Sequence, residues 1–340
     1  MVAARGGRRA FGLRFLFFTF LSRPIFMKNK VLVVKGALLP ALEARLVAQY
    51  DTALLPPAGP ERDALLAAEG AGFEGLATSA RLGADAALIA ALPQLKVISS
   101  FGVGLDALDL EAARARGIAV GYTPDVLNDC VADTAFALLM DVARRISAAD
   151  RFVRCGDWLK GQFPTATKVS GKRLGILGMG RIGRVIARRA SGFDMEVRYH
   201  NRRALTDVDH GYAASLKELA EWADFLVIAS AGGADTQGLV SAEILDALGP
   251  QGYLINISRG TVVDEAALVD ALTHRRIAGA GLDVFEREPQ VPAALVALDN
   301  VVLLPHLASN TQETRAAMAQ RVEDNLAAFF AGRPLVSSAL

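Results

Sequence analysis

A glycine-rich stretch near the middle of the chain restricts its fold more than any other feature. Residues 174–177 are a short apolar run, typical of a buried strand, and residues 184–190 have a helical pattern. Between them Gly178, Gly180 and Gly183 have the spacing G-x-G-x-x-G. In a dinucleotide site the first glycine permits the tight turn, the second lets the backbone approach a pyrophosphate and the third lets helix and strand pack closely. We therefore predict a dinucleotide site here, with a purely structural strand–helix turn as the alternative.

The composition is that of a globular protein with room for two domains. Of 340 residues, 52% are apolar and 21% are charged, and the formal net charge is +1. This apolar content allows sizeable cores, and so small a net charge argues against a nucleic-acid-binding surface. Cys130 and Cys155 are too few for a disulfide framework or a cysteine-based zinc site. We predict a cytoplasmic location and no metal site.

Residues 1–26 differ in charge from the remainder. They contain five arginines and no acid, whereas the rest of the chain has 32 basic and 36 acidic residues. An apolar run at 15–21 follows the first four arginines, but no small-x-small cleavage site follows it, and it is far too short to span a bilayer. We interpret residues 1–26 as an extension outside the folded protein. A targeting or surface-binding segment is the alternative, and no membrane association is expected.

Strands alternate with helices from residue 31 onwards, which predicts parallel sheets. In the first half we expect strands at 31–34, 95–100 and 118–120 and helices at 42–50, 84–92 and 110–116. Residues 75–79 have the pattern of the end of a strand and a loop. In the second half we expect six strands, at 174–177, 196–199, 225–229, 253–257, 281–284 and 301–304, and helices at 184–190, 216–222, 242–247 and 265–274. Residues 128–146 have the pattern of one long helix, and residues 151–170 that of an irregular connection.

This order of elements predicts an α/β protein with two doubly wound parallel-sheet domains. A Rossmann-type sheet is inserted into a smaller, flavodoxin-like sheet. The long helix crosses between them, and a last helix at 311–330 should return to the first domain. We expect an N-terminal extension at 1–26, a substrate domain at 27–125 that is completed by 309–340, and a dinucleotide-binding domain at 126–308.

The segment about 20 residues beyond the first glycine bears on the choice of dinucleotide. Sites that prefer NAD usually have a carboxylate there, which binds the ribose hydroxyls. Residues 198–203 contain no carboxylate, and Asn201, Arg202 and Arg203 lie among them. Guanidinium groups suit a 2′-phosphate by charge and geometry. We therefore predict NADPH as the preferred cofactor. NADH stays an open alternative, since the arginines could also be a solvated basic loop.

Charged side chains follow three strands of the second half. His306 comes directly after the last apolar strand, and Arg259 follows the strand at 253–257. Asp283, Glu286 and Glu288 lie at or just beyond the end of a third strand. Each of these groups alone could be a solvated loop residue. Because open α/β sheets bind ligands at the carboxyl ends of their strands, the three together form a hypothesis for an active site.

These motifs resemble those of the D-isomer-specific 2-hydroxyacid dehydrogenases. The matching stretches are 100–106, 121–127, 178–183, 256–261, 281–289 and 304–309, which together span nearly everything from residue 28 on. Within the family the chain is most similar to glyoxylate/hydroxypyruvate reductases and plant hydroxyphenylpyruvate reductases, because of residues 156–158 and the arginines after the second strand. Residues 229–235 depart from the family, since they lack its usual Leu-Thr-Pro, and this loop is expected to sit differently.

The resemblance implies a role for each catalytic group. Arg259 would hold the carboxylate and keto oxygen of the substrate, and His306 would donate a proton to that oxygen. Glu288 would accept a hydrogen bond from His306 and keep it protonated, with Glu286 as the competing choice. The backbone of Val103 and Gly104 would bind the substrate carboxylate. The residues expected to contact the cofactor include the glycine motif and are Gly178, Met179, Gly180, Arg181, Ile182, Gly183, Asn201, Arg202, Arg203, Ala231, Ile257, Asp283 and Ala308.

The resemblance also implies an activity, which is NADPH-dependent reduction of a small 2-oxo acid such as glyoxylate or hydroxypyruvate to the D-2-hydroxy acid by hydride transfer. Thr78, Ser79 and Arg81 are expected in a loop that faces the substrate, and Trp158 as an aromatic wall. A homodimer is expected, partly from the apolar helix face at 131–142. The alternatives are an NAD-dependent member such as a phosphoglycerate dehydrogenase, or a nucleotide-sensing binding protein such as the corepressors that resemble this family.

Overall fold

The computed structural model describes residues 28–340. The predicted extension at residues 1–26 lies outside this range. Two parallel β-sheets with helices packed on them form the described structure, which confirms the predicted α/β class with two doubly wound sheets. Within residues 28–340, no helix is both long enough and apolar enough to cross a membrane.

Five parallel strands form the first sheet: β1 (Lys30–Val34), β2 (Asp51–Leu55), β3 (Gly75–Ser79), β4 (Val97–Phe101) and β5 (Ala119–Gly121). They lie in the order β2-β1-β3-β4-β5, which is that of a flavodoxin-like sheet. The connecting helices are α1 (Pro40–Gln49), α2 (Pro60–Glu69), α3 (Ala86–Ala90) and α4 (Leu110–Ala115). The sequence-based prediction lacks β2 and α2, because β2 is a partly exposed edge strand and α2 has no fully buried residue.

Two helices, α5 (Asn128–Arg144) and α6 (Ile146–Arg154), lead from the first sheet to the second. Arg145 separates them, with a left-handed φ of 56°. The single helix predicted at 128–146 is therefore two helices. The irregular segment predicted from residue 151 begins inside α6, which has no fully buried residue.

Seven parallel strands form the second sheet: β6 (Arg173–Leu177), β7 (Glu196–His200), β8 (Gly211–Tyr212), β9 (Phe225–Ile228), β10 (Tyr253–Asn256), β11 (Gly279–Leu282) and β12 (Val301–Leu303). Their order is β12-β11-β10-β9-β6-β7-β8. The helices between them are α7 (Arg181–Ala190), α8 (Leu216–Trp222), α9 (Ala242–Leu248), α10 (Glu265–Thr273) and α11 (Ala293–Val296). Because the strand order reverses at β6, a crevice for a ligand forms at its carboxyl end. The seventh strand, β8, is not in the prediction, since it has two exposed residues and no apolar signal.

Helix α12 (Gln312–Phe330) follows the second sheet and packs against β4 of the first. The hydroxyl of Ser99 in β4 donates to the carbonyl of Val322 at 3.1 Å. Arg45 of α1 pairs with the buried carboxylate of Glu323 at 2.8 Å. The last helix thus belongs to the core of the first sheet, while the predicted domain boundaries stay a prediction.

The apolar face of α5 lies inside the subunit. It packs against α7, β10 and β11, and Val131, Leu138, Leu139 and Val142 are almost fully buried. Because the chain itself covers this face, the face gives no support for the expected homodimer. The homodimer stays a prediction. The apolar pattern of the face reports packing on the second sheet.

Candidate active site

A cavity of about 780 Å³ lies where the carboxyl ends of the two sheets meet. The segments that follow β1, β3 and β4 form its wall on the side of the first sheet, and those that follow β10, β11 and β12 form the other wall. Parallel sheets bind ligands at this edge. Of the predicted site residues, the cavity brings together Val103, Gly104, Ile182, Ile257, Arg259, Asp283, Glu288, His306 and Ala308.

His306 and Glu288 are in direct contact in this cavity. The Nδ1 atom of His306 lies 2.7 Å from Oε2 of Glu288, and the other carboxylate oxygen of Glu288 accepts the backbone N–H of Phe285 at 3.2 Å. The side chain of His306 is 40% exposed and that of Glu288 22% exposed. The contact occupies Nδ1 and leaves Nε2 as the ring nitrogen that can serve a ligand.

The ionisation of Glu288 is adjusted by its surroundings. Burial opposes its negative charge, but the hydrogen bond and charge of His306, the N–H of Phe285 and the charge of Arg259 together lower the pKa of Glu288 below its usual range. Glu286, the competing choice, lines the same cavity, but within residues 28–340 its carboxylate forms no hydrogen bond with His306. Its carboxylate is 3.9 Å from Nε of the neighbouring Arg287. The geometry therefore pairs His306 with Glu288.

Asp283 holds the turn that carries His306. This side chain is fully buried, and its two oxygens accept the backbone N–H groups of Leu307 at 2.7 Å and Ala308 at 2.9 Å. The backbone N–H of His306 donates to the carbonyl of Asp283 at 2.8 Å, and His306 has a left-handed φ of 51°. Burial raises the pKa of Asp283, although these backbone donors oppose the rise.

Arg259 lies beside the backbone of the first sheet. A Cβ atom added to Gly104 would be 1.7 Å from Nη2 of Arg259, so the guanidinium lies directly against this glycine. The Nε atom donates to Oδ2 of Asp106 at 3.1 Å, across the cavity from one sheet to the other. Asp106 stands in one of the matched stretches, but sequence patterns alone assign it no role. In the unusual loop at 229–235, Gly232 packs against the stem of Arg259, where a Cβ would be 2.6 Å from Cγ.

The glycine motif has the geometry of a turn that a ligand can approach. Gly178 has a φ of 101°, and a Cβ added there would be 2.5 Å from the backbone nitrogen of Ser230. A Cβ on Gly183 would be 2.2 Å from the carbonyl oxygen of Gly178, whereas a Cβ on Gly180 would meet nothing within 4 Å. Helix α7 begins directly after Gly180. The open face of Gly180 and this helix N-terminus together suit a pyrophosphate.

The other expected cofactor residues lie around this turn. The backbone N–H of Met179 donates to Oδ1 of Asn201 at 2.8 Å, and Arg181 pairs with Asp125 at 3.0 Å. The carbonyl of the exposed Ala231 accepts the hydroxyl of Thr236 at 3.0 Å. These residues are not among those that line the cavity.

The two arginines after β7 are exposed. Nη1 of Arg202 is 3.7 Å from Oδ2 of Asp235, and the two side chains are 92% and 85% exposed. Arg203 is exposed as well. Asp235 belongs to the loop after β9. Residues 198–203 themselves contain no carboxylate, so the sequence around the arginines does not indicate this acidic neighbour.

The residues expected to face the substrate divide into two groups. Ser79 and Arg81 line the cavity. Thr78 is fully buried, and its hydroxyl donates to the carbonyl of Gly83 at 2.7 Å, so it serves the fold of the loop. Trp158 is 66% exposed and does not line the cavity of its own chain.

Comparison with known proteins identifies the family. The model for the D-isomer specific 2-hydroxyacid dehydrogenase NAD binding domain matches residues 136–308. The chain is 49% identical to the hydroxyphenylpyruvate reductase of Plectranthus scutellarioides over 277 residues, which cover 82% of this chain and 88% of that one. It is 47% identical to glyoxylate/hydroxypyruvate reductase A of Arabidopsis thaliana over 278 residues, or 82% and 89% of the two chains.

A solved structure agrees with this assignment. The NADPH-dependent glyoxylate/hydroxypyruvate reductase of Sinorhizobium meliloti, in complex with NADP and malonate, matches with a TM-score of 0.86 and 42% identity over 92% of this chain and 97% of that one. Family, fold and relatives agree, and the protein is therefore an NAD(P)-dependent oxidoreductase of the D-isomer-specific 2-hydroxyacid dehydrogenase family.

Proposed function

We propose that the protein reduces a small 2-oxo acid, of the glyoxylate or hydroxypyruvate type, to the D-2-hydroxy acid with NADPH. The observation that carries this proposal is one cavity in which Arg259, Glu288 and His306 meet beside the glycine turn. The relatives named as glyoxylate, hydroxypyruvate and hydroxyphenylpyruvate reductases support the substrate class. The D configuration follows from membership of a D-specific family.

The residues at the glycine turn fit a nicotinamide dinucleotide. The open face of Gly180 would admit the pyrophosphate, and Ile182, Ile257 and Ala308 would form the apolar wall beside the cavity. When bound, this cofactor supplies the hydride for the reduction. Asp283 would stay in place beneath the same wall, because the backbone of residues 307–308 already holds its carboxylate.

Arg259 and the backbone at residues 103–104 would bind the substrate carboxylate. Guanidinium and backbone N–H groups donate to carboxylate oxygens, and the guanidinium lies directly against Gly104. Asp106 accepts from Nε of Arg259 and the carbonyl of Ser258 accepts from Nη1 at 2.9 Å, which leaves Nη2 available. The carbonyl of the substrate would then lie between Arg259 and His306.

His306 would deliver the proton from Nε2 to the carbonyl oxygen. The carboxylate of Glu288 holds the ring through Nδ1, and Asp283 fixes the turn on which the ring stands. Replacing His306 by alanine removes the donor, and we expect kcat to fall by about 10² to 10⁴. Binding of NADPH should survive this change.

Purified protein tests the proposal directly. NADPH consumption would be measured with glyoxylate and hydroxypyruvate, and chiral separation would identify the product. A D-2-hydroxy acid from wild type and none from the His306→Ala variant is the expected result. An L product, or a His306→Ala variant with wild-type kcat, would contradict the mechanism. Absence of any turnover would favour the nucleotide-sensing alternative.

We also propose NADPH over NADH, because Arg202 and Arg203 are exposed where a 2′-phosphate would lie. One charge-assisted contact can contribute about 1.5–3 kcal/mol, so kcat/KM should be at least about tenfold higher with NADPH. The Arg202→Ala variant should lose affinity for NADPH and keep that for NADH. Equal kinetics with both cofactors would favour the NAD-dependent alternative.

A homodimer is proposed on new grounds. The apolar side chains of Ile146, Val153, Trp158 and Leu159 are between 51% and 94% exposed and lie in α6 and the loop after it. Such a cluster marks an interaction surface. Light scattering at micromolar concentration should give the mass of two chains, and a monomer would contradict the assembly.

The cytoplasmic location stays a prediction; within residues 28–340 both cysteines are free.

A further inference from the structure

Arg315 lines the same cavity as the catalytic groups, but the mechanism above gives it no task. It lies in the first turns of α12, and its guanidinium carbon is 5.4 Å from the centre of the Phe101 ring at the end of β4. Its Nε atom donates to Oδ1 of Asn310 at 3.3 Å. A guanidinium has five N–H donors, so this single bond leaves most of them free.

The position of Arg315 is costly for a cation. Among residues 28–340, no carboxylate lies within ion-pair distance of it, and burial lowers the pKa of Arg315. The N-terminal end of a helix also disfavours positive charge. The ring of Phe101 offsets only part of this cost. A partly buried guanidinium without an acid is expected to have an anionic or polar ligand.

Three of the carboxylates that line the cavity are already engaged. Asp106 pairs with Arg259, Glu288 contacts His306, and Asp283 accepts two backbone N–H groups. The fourth, Glu286, is 3.9 Å from the neighbouring Arg287 and forms no ion pair with Arg315. Arg81, which is exposed, adds a further positive charge to the wall on the side of the first sheet.

We propose that Arg315 forms a second oxygen-binding subsite, which takes a hydroxyl or carboxylate group on the tail of the 2-oxo acid. Because Arg259 would hold the carboxylate at C1, Arg315 would select substrates with an oxygen substituent at C3 or beyond. Arg81 strengthens the positive potential of this subsite. The inference rests on the proposed reduction of 2-oxo acids and names the part of the substrate that distinguishes good substrates from poor ones.

Matched substrates test the subsite in the wild-type enzyme. Hydroxypyruvate and 2-oxobutanoate have tails of similar size, and only the first has a tail hydroxyl. We expect kcat/KM to be at least about tenfold higher for hydroxypyruvate, because 2-oxobutanoate would leave the N–H donors of Arg315 without an acceptor. Oxaloacetate against 2-oxopentanoate makes the same comparison for a tail carboxylate, so the two pairs distinguish a hydroxyl subsite from an anion subsite.

The variant Arg315→Met assigns the preference to this residue. It keeps a long side chain on Phe101 and removes the donors, so the preference for oxygenated tails should shrink to about twofold or less. Glyoxylate has no tail, and its kcat/KM should stay within about twofold of wild type. Arg315→Lys keeps the charge and loses the planar fork, and it should give an intermediate preference. Arg321→Gln, on the same helix but outside the cavity lining, is the matched control.

Three results would overturn the subsite. Wild type could treat the matched substrates alike, which decides the question even if Arg315→Met does not fold. Arg315→Met could retain the wild-type preference. It could also reduce kcat/KM for glyoxylate as much as for hydroxypyruvate, which would assign Arg315 to the C1 carboxylate or to the fold. Wild type that reduces no 2-oxo acid would instead refute the proposed function, and the subsite with it.

Discussion

The Glu288–His306 pair places a candidate proton donor in the cavity beside an ionised carboxylate. The pKa of Glu288 is lowered because the hydrogen bond and charge of His306, with smaller contributions from Phe285 and Arg259, outweigh burial. Glu288 therefore stays ionised at every pH above its ordinary value of about 4.3. The ionised carboxylate can therefore accept the hydrogen bond from Nδ1 and orient the ring of His306.

Replacing Glu288 by glutamine keeps the shape and removes the charge. His306 then loses the charged partner of its Nδ1, so reductive kcat should fall at neutral pH and its dependence on pH should change. The loss at neutral pH should be smaller than the factor of about 10² to 10⁴ expected for His306→Ala, because the donor is still present. A pH profile of kcat with saturating NADPH is the measurement. Glu286→Gln is the matched control, and a profile that moves in this control rather than in Glu288→Gln would reverse the assignment.

A charged residue could be predicted as part of the site where it directly follows an apolar strand. Arg259, Glu288 and His306 each follow an apolar strand, and the parallel fold then brings them to one edge. Asp106 could not be assigned in this way, because its partner Arg259 is 153 positions away along the chain. The way Asp283 holds the turn also depends on two backbone N–H groups, whose direction only the folded chain defines.

At the scale of elements, the turn from β6 into α7 combines a structural and a ligand-facing requirement. Gly183→Ala would place a Cβ 2.2 Å from a backbone oxygen of Gly178. Strand and helix would have to separate, and we expect the free energy of unfolding to fall by about 1–3 kcal/mol. Gly180→Ala meets no protein atom within 4 Å, so its stability should be that of wild type.

The Gly180→Ala methyl would instead occupy the space that the pyrophosphate needs, and we expect the Kd for NADPH to rise by about tenfold or more. Thermal unfolding and a binding titration on the two variants separate these effects. If Gly180→Ala binds NADPH like wild type, the cofactor does not approach the turn as proposed. If Gly183→Ala unfolds like wild type, the contact with Gly178 is not a tight one.

The strands inside the sheets were predictable, whereas two of the four edge strands, β2 and β8, were not. The buried strands β6, β9 and β10 are continuous apolar runs with a strong signal. At sheet edges β2 and β8 are partly exposed and give a weak signal. The break between α5 and α6 depends on the left-handed conformation of Arg145. Glycine is the residue that usually indicates this conformation, and position 145 is not a glycine, so the sequence does not reveal the break.

At the scale of the whole molecule, the site joins two halves that each have their own sheet. Residues 103–104 and Asp106 come from the first half, and Arg259 and His306 come from the second. A small anion held by both halves should therefore stabilise the entire chain rather than one sheet. Malonate is a suitable probe, because a relative of 42% identity has been solved with NADP and malonate.

We expect malonate, added with saturating NADPH, to raise the melting temperature above that of the NADPH complex alone. A ligand at 100 times its Kd contributes about 2.7 kcal/mol, which is a shift of a few degrees for a chain of this size. In Arg259→Ala the shift from NADPH should remain and the further shift from malonate should disappear, because the guanidinium that holds the carboxylate is gone. Hydrogen exchange should show slower opening in both sheets of wild type. Protection confined to the second sheet, or a malonate shift that persists in Arg259→Ala, would mean that the anion does not bridge the two halves.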